Sequence, residues 1–297
     1  MKKLSKQQYD KACSYIENEA RGIDRAYFHF WNGSGSKEEV LEQLEQYRND
    51  DGGFGHSIEP DFRLKESSPM ATTVAFQFLI KLGLSKDHPF IQEGIRYFQS
   101  TCKEEGWNAV PEAVNHVPHA PWWSVQEGEQ KYSANPDAEI VGYLMAYSDD
   151  KEPKSAMLMK VMDHLSDLNE YEIHEVQCYL RLADLAQGDI QNVILEKVQK
   201  QLPYIVDRPE KWDSYGVQPV VLVDSEESPF VDELNQEVHV NLDYIIEKQQ
   251  EDGSWAPTWE WGQYQDDWEK AKKEWSGHLT VQQLITLSKF DRIEREQ

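Results

Sequence analysis

The chain has 297 residues and is strongly acidic, with 30 Lys and Arg residues against 54 Asp and Glu residues and a formal net charge of −24. A field of this sign repels phosphate backbones and anionic membrane surfaces, which argues against nucleic acid as a partner. Hydrophobic residues make up 39% of the chain, and its 10 Trp, 14 Tyr and 10 Phe are typical of a folded protein. No apolar run is long enough for a membrane span, and no apolar signal-peptide region follows the N-terminus. Because its three cysteines lie far apart and suggest no disulfide framework, we expect a cytoplasmic protein.

Apolar residues recur at helical spacing in five segments of the chain. The clearest series covers residues 71–82, and it is preceded by Pro69 and followed by Gly83, as expected for the two ends of a helix. The other four segments are residues 140–145, 173–180, 234–246 and 281–288. The only strand-like stretch, residues 217–223, is interrupted by Pro219. The sequence therefore predicts an all-α protein.

A turn motif recurs along the chain: a Gln at the end of a helix, acidic residues, a Gly and then a large aromatic residue. It occurs at residues 46–54, 99–107 and 249–255, with a degenerate copy lacking the Gly at residues 208–212. The repeat length of about 50 residues corresponds to two helices with their turns. Stacked helical pairs with their turn aromatics on one rim can close into a ring. We predict one domain over residues 1–297, an all-α (α/α)6 toroid; the alternative is an open helical scaffold for binding another protein.

The last of these turns carries a more specific pattern. The segment from Tyr244 to Trp255 reads Tyr-Ile-x-x-x-Gln-x-x-x-Gly-x-Trp and resembles the QW repeat of squalene-hopene cyclases and related terpenoid cyclases. The Asp-Gly-Gly-Phe-Gly run at residues 51–55 is similar to the repeat that those cyclases share with protein prenyltransferase β subunits. The resemblance implies a toroid, like those of bacterial prenyltransferase-like proteins, whose inner helices surround a cavity for an isoprenoid or another apolar molecule.

The motifs that carry the chemistry of these relatives are absent from the sequence. Squalene-hopene-type cyclases protonate their substrate with an Asp-x-Asp-Asp motif, and isoprenoid synthases hold magnesium with an Asp-Asp-x-x-Asp motif. The chain has adjacent acid pairs at residues 50–51, 149–150 and 266–267, and none of them is part of either motif. No cysteine has the Asp two residues before it that would form a zinc pair of the prenyltransferase type. Binding of an apolar small molecule is therefore the leading functional hypothesis, and whether the protein is an enzyme stays open.

The first loop with unusual polar content follows Phe54. It contains His56, Glu59 and Asp61, which could form a general acid–base pair or bind a divalent metal ion through nitrogen and oxygen. We predict these three residues as the catalytic set. The alternative is structural: the two acids cap a turn, and Arg63 pairs with one of them.

The second loop combines histidines with tryptophans. His116, His119, Trp122 and Trp123 lie among two prolines that stiffen the segment, so we predict that they form a wall of the substrate site. Packing of the loop as a rigid plug is the alternative.

The third loop interleaves indoles and carboxylates. Trp259 and Trp261 are predicted to bind substrate, and their neighbours Glu260 and Asp266 suggest a saccharide as the second class of ligand. In that case the protein is a carbohydrate-active (α/α)6 hydrolase or lyase, with an acid of the first loop opposite Glu260 or Asp266.

The remaining polar residues of interest, near the starts of two predicted helices, have structural explanations. Asp137 and Glu139 suit the positive end of a helix that starts near them. His278, which we place at the start of the last helix, is expected to be a hydrogen-bonded or capping residue.

Overall fold

The structure, a computed structural model, describes residues 1–126, 132–151, 153–168 and 171–294. Within these ranges the chain forms twelve α-helices, short 3-10 turns and isolated β-bridges, and it contains no β-strand. The prediction of an all-α protein is therefore confirmed. None of the described helices is long and apolar enough to cross a membrane. The helices are α1 (Lys6–Glu19), α2 (Gly22–Trp31), α3 (Lys37–Glu45), α4 (Pro69–Lys81), α5 (Pro89–Thr101), α6 (Asp137–Tyr147), α7 (Lys154–Asp167), α8 (Ile173–Ala186), α9 (Gly188–Gln199), α10 (Leu202–Ile205), α11 (Asn235–Glu247) and α12 (Gln265–Lys289).

The five segments with helical spacing correspond to α4, α6, α8, α11 and α12, with Leu82 and Leu234 as the capping residues of α4 and α11. Helix α4 begins at Pro69, as predicted, because the Ser68 hydroxyl caps it by accepting a hydrogen bond from the backbone N–H of Ala71 at 3.1 Å. The strand-like stretch forms only a 3-10 turn, Pro219–Val221, since proline lacks the N–H that a strand would use.

The beginning of α12 was predicted wrongly. The helix starts at Gln265, so His278 lies in its interior and not at its start. Asp266 and Asp267 occupy the first turn, where the positive end of the helix favours carboxylates. The first half of α12 is mostly polar, so the search for apolar residues at helical spacing did not detect it.

The described residues group into two compact units. The first unit consists of Met1–Gln43 and Val206–Gln297, and the second of Leu44–Ile205. The single domain over residues 1–297 stays a prediction.

In the first unit α1 packs on α2 and α12, and α2 packs on α12. A short bridge joins the segment before α1 to the one after α12: the Leu4 N–H donates to the Arg292 carbonyl at 2.7 Å.

The second unit is built around α6. Helix α6 packs against α5, α7 and α8, while α4 packs on α5 and α8 on α9. Its core contains the rings of Phe76, Phe98 and Tyr143, whose centroids lie 5.2 Å (Phe76 to Phe98) and 4.8 Å (Phe76 to Tyr143) apart. Gly94 lets α5 approach α4, because a Cβ atom at this position would lie 2.3 Å from the Phe76 ring. This core positions α4 and α6, which carry Gln77 and Glu139 of the buried polar network described below.

Three of the recurring turns share one hydrogen-bond pattern. In each, a glycine with positive φ precedes a buried aromatic residue, whose backbone N–H donates to a polar side chain of a later helix. The glycine, the aromatic residue and the acceptor are Gly52, Phe54 and Thr72; Gly106, Trp107 and Asp137; and Gly253, Trp255 and Thr280, with N···O distances of 3.0, 3.1 and 3.1 Å. Each turn is thereby tied to a helix that follows it.

Gly106 offers a direct test of this turn geometry. Its φ is +109°, and a Cβ atom would lie 1.9 Å from Asp137 Oδ2. We expect Gly106→Ala to lower the free energy of unfolding by roughly 3 kcal/mol, because backbone strain adds to a steric clash. Gly188→Ala is the matched control in the same unit: its φ is +62° with nothing within 4 Å, so only about 1 kcal/mol of strain is expected. Equal losses in urea unfolding of the two variants would contradict the clash.

Candidate functional site

The first predicted site lies in the second unit, and its acids are buried. Glu59 and Asp61 are 8% and 5% exposed, and Glu59 Oε1 accepts a hydrogen bond from the Asp61 N–H at 3.2 Å. His56 is exposed, and its Nε2 lies 2.9 Å from Asn49 Oδ1. Across the described part of the chain, no three His, Cys, Asp or Glu residues are grouped so that they could hold a metal ion. The three residues of the predicted catalytic set are therefore not gathered as metal ligands.

The second predicted loop lies directly against the first. The Ala120 N–H donates to the Asp61 carbonyl and the Arg63 N–H to the Pro118 carbonyl, both at 2.8 Å. The rings of Phe62 and Trp123 meet edge to face with centroids 5.5 Å apart. Sequence reasoning treated these loops separately, and the structure brings them together as one element, which we call the loop pair (residues 56–63 and 116–124).

The predicted wall residues of the loop pair differ in accessibility. His119 is buried, with Nδ1 at 2.7 Å from the Val117 carbonyl and Nε2 at 2.9 Å from the Ser124 hydroxyl, so it fastens its own loop. His116 is exposed, and Trp122 is 52% exposed. The Nε1 atom of Trp123 is buried and has no hydrogen-bond partner among the described residues. Of the four, His119 is the residue whose ring is engaged within its own loop.

A buried polar network that the sequence did not reveal surrounds Glu139 in α6. Its carboxylate accepts hydrogen bonds from Gln77 Nε2 at 3.0 Å, from Arg181 Nη1 at 2.9 Å and from the Tyr143 hydroxyl. Burial, and then the charge of Glu139, raise the pKa of the nearby Cys178 thiol well above its usual value, which keeps the thiol protonated. The network joins α4, α6 and α8, and its polar groups are engaged with one another. We therefore assign it to helix packing.

The first unit contains a second buried network that crosses from α2 to α12. Asp24 is 1% exposed; its Oδ2 accepts a hydrogen bond from Arg21 Nε at 2.7 Å, and its Oδ1 lies 2.8 Å from His278 Nδ1. Burial alone would raise the pKa of Asp24, but the charge of Arg21 and the hydrogen bond with His278 lower it to about 2. Asp24 is therefore a carboxylate at neutral pH, held between Arg21 and His278.

Aromatic rings extend from this histidine. The His278 ring meets Trp275 edge to face at a centroid distance of 5.7 Å, Trp275 meets Trp259 at 5.2 Å, and Trp259 meets Tyr215 at 5.8 Å. We call His278, Trp275, Trp259 and Tyr215 the aromatic array. Trp259 Nε1 is buried without a hydrogen-bond partner in the described ranges. An indole N–H in this state is uncommon and requires an explanation.

Only one of the two tryptophans predicted from the third loop belongs to the array. Trp261 is buried and packs on Trp268 with ring centroids 5.8 Å apart, which is a core position. The saccharide candidates Glu260 and Asp266 are exposed. Sequence reasoning expected His278 to be a hydrogen-bonded residue, as the structure shows, but missed its partner Asp24 and the neighbouring Arg21. The available signal was a His beside a Trp within a helix.

Comparisons of the chain with protein-family models, with curated proteins and with solved structures found no match.

Proposed function

We propose that the chain is an (α/α)6 toroid of the terpenoid cyclase and prenyltransferase type that binds an isoprenoid or another apolar small molecule. The number of helices supports the toroid, because six helical pairs need twelve helices and the described residues form twelve α-helices, of which α10 is only four residues long. The turn pattern shared around Phe54, Trp107 and Trp255 is also consistent with a repeated helical pair.

The observation that carries the ligand proposal is the aromatic array of the first unit. Trp259 meets both Tyr215 and Trp275 edge to face, so the three rings form one continuous apolar group, and an indole face can also stabilise a cation. The array ends at a histidine that a buried carboxylate holds in place. Ligand sites generally combine such apolar surface with a few fixed polar groups.

The proposal concerns binding and commits to no cyclisation step. An acid that protonates an alkene must hold a proton at neutral pH, and Asp24 with a pKa of about 2 does not. Asp137 has a pKa raised to about 7, but its Oδ1 accepts the Trp107 N–H and it lies against Gly106. We assign Asp137 to the turn and not to a reaction.

Native mass spectrometry of the purified protein, with organic extraction of the same sample, tests the proposal. We expect a co-purifying isoprenoid or lipid, or binding of added farnesol, and we expect Trp259→Leu to weaken farnesol binding about tenfold by removing a ring of the array. Tyr204→Leu is the control, because Tyr204 is 84% exposed and lies in the second unit. Absence of farnesol and squalene binding would overturn the proposal.

The loop pair favours a second candidate, a saccharide-binding protein with hydrolase or lyase chemistry. Trp122 offers an exposed indole face, Trp123 a buried N–H donor, and Glu59 and Asp61 are carboxylates of the same element. Stacking on an indole together with hydrogen bonds to carboxylates is how proteins recognise sugars. Cellobiose binding that is lost in Trp122→Ala and retained in Trp259→Leu would establish this candidate over the first.

A further inference from the structure

A pocket in the first unit shares no lining residue with the aromatic array. It has a volume of about 220 Å³ and is lined from residues 226–232, from the first turns of α11 and from Phe290 at the end of α12. Pockets that hold drug-sized ligands have volumes of roughly 300 to 1,000 Å³, so this pocket suits a smaller molecule. A role for it goes beyond the proposed function, because no residue of the array contributes to it.

Apolar side chains form one part of the lining. Val238 and Phe290 are 1% and 6% exposed, and Val231 is partly buried. Two of these side chains are aliphatic and one is aromatic, which is the kind of surface that ligand pockets present to hydrocarbon groups. The pocket therefore offers apolar surface to a short hydrocarbon chain.

Apart from His239, the ionisable side chains of the lining are acidic. Glu226 and Asp232 are exposed, and neither forms an ion pair with another residue that the structure describes. No Lys or Arg of the described ranges lines the pocket, and Lys289, which precedes the last lining residue, is paired with Asp224 at 2.6 Å. The two carboxylates are therefore not neutralised within the described part of the chain.

The N-terminus of α11 opposes these acids, because a helix N-terminus carries a positive partial charge. Asn235, the first residue of α11, lines the pocket. A helix end corresponds to about half an elementary charge, whereas the two carboxylates contribute about two negative charges. A protonated His239 would add at most one positive charge, so the sum stays negative in either protonation state of this ring. The pocket therefore favours a cation over an anion.

An organic cation suits these residues better than a metal ion does. Within the described ranges, no three His, Cys, Asp or Glu residues are arranged so that they could hold a metal ion. An ammonium group needs no such coordination shell, because each of its hydrogens donates to a single acceptor. An alkyl amine carries this charge at neutral pH, since its ordinary pKa resembles that of lysine.

We propose that this pocket binds a small aliphatic amine in its protonated form. The ammonium group lies against the two carboxylates, and the hydrocarbon chain lies on the three apolar side chains. The occupant is a free amine and not the lysine of another protein. Docking of a protein would also bury the exposed chain neighbours Glu227, Glu233 and Glu237, and interface cores are depleted in such charged residues.

Pentylamine, pentanol and hexanoate form a matched series of probes, because they share the pentyl chain and differ in charge. We expect pentylamine at neutral pH to bind with a Kd on the order of 1 mM and to shift the methyl resonances of Val231 and Val238 in NMR. Pentanol should bind at least about tenfold more weakly, because it lacks the charge. Hexanoate should leave these resonances unmoved.

Substitution of both acids tests the same assignment from the side of the protein. Glu226→Gln combined with Asp232→Asn should weaken pentylamine binding about tenfold, to the level of pentanol. Glu227→Gln is the matched control, because Glu227 is an exposed acid next to Glu226 that does not line the pocket. Unchanged pentylamine binding in the double variant would overturn the assignment.

The probe series also separates the alternatives. Equal or tighter binding of pentanol would overturn the proposal, since the carboxylates would then contribute nothing. Binding of hexanoate in place of pentylamine would show that the helix end outweighs the acids. Tighter binding of Nα-acetyl-lysine methylamide than of pentylamine would replace the free amine by the lysine of a partner protein. None of these results bears on farnesol binding, so the proposed function is tested separately.

Discussion

Asp137→Asn is expected to raise the free energy of unfolding at about pH 8 by roughly 4 kcal/mol and to leave it nearly unchanged at about pH 3.5. Burial raises the pKa of Asp137 from 3.8 to about 7 in the folded protein, against the opposing effects of the Trp107 N–H, Tyr132 and Lys160. The folded state therefore holds this proton more tightly than the unfolded chain does. Stability from this group is fully present below about pH 4 and is lost as the pH rises through about 7.

Asparagine at position 137 cannot ionise, so the free-energy cost of burying a charged carboxylate disappears. Its side-chain oxygen can still accept the hydrogen bond from the Trp107 N–H, whose nitrogen lies 3.1 Å from Asp137 Oδ1. Urea unfolding at the two pH values measures the effect. Asp189→Asn is the control, because Asp189 occupies the first turn of α9 in the same unit but is exposed. A loss of stability in Asp137→Asn at about pH 8 would show that the carboxylate form is the favoured one.

Asp24→Asn is expected to destabilise the protein, in contrast to Asp137→Asn. It should lower the free energy of unfolding at neutral pH by about 2 to 3 kcal/mol. The folded-state pKa of Asp24, about 2, lies below its ordinary value of 3.8, because Arg21 and His278 outweigh burial. Its contribution is therefore present above about pH 4 and is lost as the pH falls through about 2. In the variant, the buried Arg21 guanidinium loses its charged partner.

Urea unfolding of Asp24→Asn and of the unaltered protein from about pH 7 down to about pH 2 measures the effect. The difference between their free energies of unfolding should shrink toward zero as the pH approaches about 2. Asp291→Asn is the control, since Asp291 pairs with Lys3 at 2.8 Å on the surface, where an ion pair contributes less than about 1 kcal/mol. A pH-independent loss in Asp24→Asn would mean that packing, and not charge, accounts for the effect.

Much of the helical architecture could be predicted because it depends on local spacing. The apolar series of residues 71–82 and the flanking Pro69 and Gly83 define α4 almost to the residue. Prediction failed for the start of α12, whose first half is mostly polar, has acids in its first turn and buries Trp268. A rule based on apolar spacing does not detect such a segment.

The candidate site was predicted only in part. Trp259 was expected to bind substrate, and the structure places it in the aromatic array, while Trp261 is a core residue. The ligand roles of His56, Glu59 and Asp61 stay predictions, with the two acids buried and the histidine at the surface. The pairing of His278 with Asp24 was not predicted, because 254 positions separate the two residues and no local pattern joins residues that distant.

The sequence by itself determined the helices and the recurring turns, since both depend on residues within one or two turns of each other: apolar spacing, a Gly that accepts positive φ, and an aromatic residue after it. Only the tertiary structure decided the protonation behaviour of the buried acids. Asp24 and Asp137 are both buried aspartates in the first turn of a helix, yet the pKa of one is lowered to about 2 and that of the other is raised to about 7. The reason is that a pKa depends on the charges and donors that surround a carboxyl group in space. Folding brings His278 to Asp24, which already has Arg21 three residues before it, whereas burial stays dominant at Asp137.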